Sequence, residues 1–360
     1  MMVPGEFSKD LLKNKQAIER LTALWAFNEA GLGGFLHAFR IPFTGILVGG
    51  ISLMIITMIA QFCNFKAPVL LKSLLLVLIV KAMVSPHSPL AAYFAVSFQA
   101  VIAIGIFSMI KNIRIAALLI TVFSFMESAF QKIIVLTLVF GNVLWKAIDE
   151  FAESVLKQMG WLTIGNHSNA AWWIMGIYVM IYFLAGITIG IYAGGLPQRL
   201  SKFFDERDEF VFNGKIQLAL SAKSNLLKKR TKKSTIILSL ILPVLILLFY
   251  TLKIENNWLL ALQPFLRALG IIAVWYLIIA PFIIRRIKSF LRKQRSTYYT
   301  EVDTVLAIIP DLRKLSIFAW KETSGLKGYK RWSGFIIQLF VCVLIYQPIS
   351  SGNGKQDIYS

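Results

Sequence analysis

Acidic residues are scarce in this 360-residue chain: 18 Asp and Glu stand against 38 Lys and Arg, and charged residues make up only 16%. There are three histidines and two cysteines. Each shortage removes a class of function. Cys63 and Cys342 both lie in or beside apolar runs, which excludes a disulfide framework and a cysteine metal site. The histidines, His37, His87 and His167, have no spacing that favours zinc. No G-x-x-x-x-G-K-[ST] occurs, so the chain is not its own P-loop ATPase. H-E-x-x-H, G-x-S-x-G and a paired-acid prenyl-diphosphate motif are missing too. With no catalytic set, the expectation is a protein that is not an enzyme and holds neither metal nor cofactor. The opening "MMVPGEFSKDLLKNKQAIERL" has no apolar core ahead of a cleavage site, so the first span is expected to serve as an uncleaved insertion signal.

What the chain has in abundance is apolar sequence. Hydrophobic residues make up 57%, and mean hydropathy is +0.68. A bilayer is crossed by about 20 apolar residues in a helix. Runs approaching or exceeding that length fall at 45–62, 69–84, 90–110, 115–140, 171–192, 235–252, 266–284 and 334–346, and 21–39 brings the expectation to about nine spans. The fold class read from this is an all-α integral membrane protein.

A net charge of +20 raises the question of nucleic acid, but the distribution of the cations argues against it. Of the 38 Lys and Arg, 22 fall in 197–234 and 285–333. With Lys9, Lys13, Lys15 and Arg20 at a cytoplasmic N-terminus, nine spans put both stretches, Lys66 and 111–114 on that same side. Segments 40–44, 141–170, 253–265 and the tail past Gln347, which hold few cations, go to the other. This is the positive-inside pattern, and it predicts a multi-pass protein of the cytoplasmic membrane whose basic segments attract anionic membrane lipids.

The same map divides the chain into 1–196, six spans joined mostly by short turns, and 197–360, three spans separated by basic cytoplasmic segments. Segment 143–162 spaces Val143, Leu144, Ile148, Phe151, Val155 and Leu156 as one face of an amphipathic surface helix. In 301–332 a stripe of Leu306, Ile309, Leu312, Leu315 and Phe318 predicts cytoplasmic helices lying flat against the membrane or a partner.

Polar groups within spans are few. A charge at the bilayer centre costs at least about 2.5–3.5 kcal/mol, so such groups face protein or a cavity. Glu29, Gly33 and His37 recur every fourth residue, and Ala26, Ala30 and Gly34 form a small-residue stripe one residue round. Lys72 and Lys81 fall on the third span, Gln99 on the fourth, Glu127 and Gln131 on the fifth. Two readings follow. Glu29, His37, Lys81, His87 and Gln99 line an outward-opening pocket for a small solute, or they pair internally, for example Glu29 with Lys81, while Lys72 snorkels.

Six spans in about 190 residues, opening with "AFNEAGLGGFLHAFRIPFTGILVGG", resemble the S-components of energy-coupling-factor vitamin transporters. Residues 20–195 carry the resemblance, and heptaprenyl-diphosphate-synthase component I-like membrane proteins share its general look. In the family an A-x-x-x-A pattern on the first helix docks on a separate T-component, which implies that role for Ala26 and Ala30, extended by Gly34. It also implies separate ATPase subunits, and a ligand near the outer face under the loop here at 40–44. The chain departs from the family in continuing for 165 residues past the six spans and in lacking the T-component's A-R-[GS] signatures. The expected function is membrane transport of a small solute bound from the extracytoplasmic side. Its rival is a non-transporting scaffold that recruits cytoplasmic partners through the basic segments.

Overall fold

The computed structural model describes residues 15–33, 44–85, 88–159, 169–205, 216 and 268–346. Among them are ten α-helices and no strand. Helix α1 (Lys15–Phe27) runs into a π-helical turn, Asn28–Leu32. Then come α2 (Thr44–Phe62), α3 (Ala67–Val84), α4 (Leu90–Met109), α5 (Ile113–Phe140), α6 (Asn142–Gln158) and α7 (Ala170–Asp205). A second π turn, Trp275–Ile279, precedes α8 (Ala280–Thr297), which is followed by α9 (Tyr299–Glu322) and α10 (Gly328–Ile345). Among the described residues, seven helices are long and apolar enough to cross a membrane: α2 to α5, α7, the stretch Ala268–Thr297 that ends in α8, and α10. Of the nine spans expected, 235–252 lies outside the described residues, and 21–39 is described as far as Gly33.

The chain forms two compact units, one of 1–134, 172–221 and 279–360, the other of 135–171 and 222–278. Both draw on residues from each side of 196, the boundary read from the charge pattern. In the first unit α1 packs against α2, α3, α9 and α10. Its residues Leu21 to Ala26 are buried without interruption, so the helix is enclosed on every side rather than amphipathic. Thr22 gives its hydroxyl to the Ile18 carbonyl, and its oxygen lies 3.0 Å from Ser73 Oγ of α3.

Between α2 and α3 the chain reverses through two residues with positive φ, Asn64 at 51° and Phe65 at 58°. The Phe65 N–H returns to the Ala60 carbonyl at 2.8 Å, satisfying a carbonyl the helix end leaves open. The Phe65 ring stacks on Phe107 with centroids 5.2 Å apart, tying this turn to the end of α4.

Helices α5 and α7 meet through glycine. A Cβ on Gly186 would come within 3.0 Å of Val122 Cα, on Gly190 within 2.7 Å of Leu118 Cα, and on Gly194 within 2.8 Å of Arg114 Cα. Three glycines at four-residue spacing thus let two backbones touch, the small-x-x-x-small packing of membrane helices. Thr121 uses the close approach to donate to the Gly186 carbonyl at 2.8 Å.

Helix α9 departs from the expected surface helix. It packs on α1, α3 and α10 of its own chain, and the residues it buries are Val302, Val305, Ile308, Leu312, Leu315 and Ala319. Leu306, Ile309 and Phe318, placed on the apolar stripe by sequence, pack at its margin. The true face shares Leu312 and Leu315 with the expected stripe and otherwise follows small and β-branched residues. Lys72 does not snorkel alone: it donates to Glu301 at 2.7 Å and lies 5.4 Å from the centre of the Tyr298 ring. That ammonium holds the Glu301 carboxyl below its usual range. Arg20 of α1 donates to the Leu344 carbonyl of α10. Helices α9 and α10 form a hairpin closed by Trp320, Trp332 and Phe335.

In the second unit, Trp145 of α6 donates to Thr137 at 3.0 Å, and the Ala171 N–H reaches Asp149 at 2.8 Å. The apolar side chains Val143, Phe151 and Val155 of α6 are exposed.

Candidate functional site

The π turn sets the geometry of the site. In it the Gly33 N–H bonds to the Asn28 carbonyl, five residues back. Gly33 therefore bonds to Asn28 rather than to Glu29, the partner a four-residue repeat implies, and a Cβ added to it would lie 3.6 Å from a Val48 methyl of α2. The inserted residue turns Asn28 and Glu29 together toward α2 and α3.

Both side chains end on the same turn of α2. Asn28 Nδ2 donates to the Val48 carbonyl at 2.9 Å and approaches Ser52 Oγ at 2.8 Å. Ser52 donates to Glu29 Oε1 at 2.6 Å. The other carboxylate oxygen, Oε2, accepts from Lys81 Nζ of α3 at 2.7 Å. This ion pair is closed to solvent, with side-chain exposures of 6% for Glu29 and 4% for Lys81. From α4, Gln99 reaches the same stretch of α2: a Cβ on Gly49 would lie 3.0 Å from its Nε2. Gly49 is what gives the Gln99 amide its room.

The cluster is charge-balanced but not saturated. Asn28 Oδ1 and Gln99 Oε1 are buried acceptors with no donor among the described residues, and Trp25 Nε1, one turn before Glu29, is a buried donor with no acceptor. An ammonium carries three donors, of which Lys81 gives one to Glu29. A buried polar atom without a partner costs about 1–3 kcal/mol. Leftover buried donors and acceptors are what a small polar molecule, or water, satisfies.

Of the residues singled out in the sequence, the structure joins Glu29 and Lys81 directly and brings Gln99 to the same turn of α2. His37, His87 and Gly34 lie outside the described residues, as does His167. Ala26 and Ala30 are buried within the chain itself. Glu127 lies on α5 near Ser128, with Oε1 buried and unpartnered. Sequence reasoning missed Asn28 and Ser52. The signal that could have found Asn28 is a carboxamide next to an intramembrane carboxylate, while Ser52 alone on an apolar helix carries little. No group of three His, Cys, Asp or Glu side chains suited to a metal occurs among the described residues.

No protein-family model matches this chain, and neither does any curated protein or any solved structure.

Proposed function

We propose that this is a multi-pass membrane transport protein that binds a small polar solute from the extracytoplasmic side, at the cluster of Asn28, Glu29, Ser52, Lys81 and Gln99. The observation that carries the reading is a buried ion pair flanked by carbonyl oxygens that lack donors. A chain has no stability reason to bury such oxygens beside a charge pair, and ionisable groups at membrane depth mark solute paths by default. The leftover groups favour a solute with both donor and acceptor functions, zwitterionic or neutral.

Access from outside follows from the orientation proposed from the charge pattern. Glu29 is held 2.7 Å from Lys81, so the two share one depth. Ser52 is near the start of α2, and Lys81 near the end of α3. All three then fall in the outer half. The resemblance to S-components supports a solute site there, with energy from separate ATPase subunits since the chain has no P-loop. The packing refines one part of it: α9 and α10 pack on α1, which carries Ala26, and α2 and α3 pack on the π turn that carries Ala30, so this chain itself encloses the two positions that a T-component would cover.

The test is mass spectrometry of small molecules retained by the full chain purified in mild detergent, with Gln99→Leu beside the wild type. Gln99→Leu removes an unpartnered acceptor without breaking the ion pair. It is expected to fold with equal or higher thermal stability and to lose the retained molecule. Equal retention by both would remove Gln99 from the site, and no retained molecule in either would count against solute binding.

A further inference from the structure

A cavity of about 210 Å³ opens between α3 and α8, and none of the Glu29 cluster lines it. One wall is apolar: Ile79, Ala82 and Met83 of α3 with Leu291 of α8. The other is cationic: Lys288, Arg292 and Arg295. Spacings of four and three residues put these cations on one face of α8. The helix runs back along α3, with Lys288 to Arg295 beside Ile79 to Met83 and Tyr298 beside Lys72. By charge pattern, 285–333 belongs with the other end of α3. The packing instead lays three cations along a span. Among the described residues neither Arg292 nor Arg295 pairs with a carboxylate. Cations placed against an apolar helix need an anion close by.

We propose that this cavity binds a phosphate-bearing anionic lipid, its phosphate between Arg292 and Arg295 and the start of its chains against Ile79, Ala82 and Met83. Guanidinium groups match phosphate oxygens in paired hydrogen bonds, which makes arginine apt for this role. The volume suits a headgroup and the adjoining carbons, with the remaining lipid in the bilayer. Free phosphate shares the anion chemistry but leaves the apolar wall unused.

The full chain is stripped of lipid in non-ionic detergent, and binding is read by native mass spectrometry with phosphatidylglycerol, with phosphatidylcholine, and with phosphatidylglycerol plus millimolar inorganic phosphate. Wild type is expected to prefer phosphatidylglycerol about tenfold or more, and to keep it in the presence of phosphate. Arg292→Gln with Arg295→Gln should lose that preference, while Lys293→Gln, on α8 but outside the cavity, should keep it. Ala82→Leu fills the cavity without altering charge and should also weaken binding, which covers the case of a double variant that fails to fold. An equal loss in Lys293→Gln would mean diffuse charge attraction and overturn the site. Displacement of the lipid by inorganic phosphate, or unchanged binding in Ala82→Leu, would overturn the lipid assignment.

Discussion

Glu29 and Lys81 show how a single pair commits a site. Each charge is tolerable inside the bundle only because the other is 2.7 Å away. Breaking a buried pair strands the survivor and costs about 3–5 kcal/mol, whereas replacing both partners with neutral groups is often close to harmless. Thermal unfolding in detergent should therefore show a large drop for Glu29→Gln and for Lys81→Met singly, and a far smaller one for the double variant. Additive losses would mean that the two residues are not energetically coupled. The pairing itself was legible, since the chain offers few intramembrane charges and these two are of opposite sign. Its two neighbours were not. Asn28 is steered to Ser52 by a π turn, and a hydrogen bond reaching five residues back leaves no mark in an apolar period.

At the scale of the element, length and hydropathy found the long helices, and the ends of α2 to α5 agree within two residues because a bilayer-length run and its flanking Pro or Asn are strong signals, whereas α7 and α8 run on to Asp205 and Thr297, past the expected ends at 192 and 284. What escaped was which face meets which. The stripe on α9 was read from the largest side chains, but the buried face includes Ala319 and three valine and isoleucine positions that come close to neighbours. In "GITIGIYAGG", Gly194, Gly195 and the following Pro197 read as a helix end, but α7 continues to Asp205, and Gly186, Gly190 and Gly194 decide how it lies on α5. Bulk at the middle one has nowhere to go, because its neighbour is backbone. Gly190→Leu is expected to lower the thermal midpoint strongly or prevent folding, while Gly176→Leu, whose Cβ would meet nothing within 4 Å, should be neutral. A tolerated Gly190→Leu would show that α5 and α7 are not in backbone contact.

For the whole molecule, large apolar side chains lie uncovered on α4, α5 and α7, among them Phe94, Val101, Phe123, Trp172 and Trp173. Such area is too large for water and suits lipid. The orientation proposed for these helices places Lys157 outside and Lys202 inside. In an otherwise cysteine-free chain, a membrane-impermeant thiol reagent applied to intact cells should modify Lys157→Cys and spare Lys202→Cys, and the reverse pattern would invert the orientation. Composition made the helices long and apolar enough to cross a membrane legible. It could not show that residues 299–346 return to enclose α1, because that depends on pair packing between segments almost 300 residues apart. The central claim is that the polar cluster at the π turn binds a solute rather than only clamping three helices. Its most direct test is the small-molecule content of the purified Glu29→Gln, Lys81→Met double variant, which removes both charges and is expected to keep the fold. The account predicts a folded protein that has lost the molecule the wild type retains; a folded double variant that still carries it would contradict the claim.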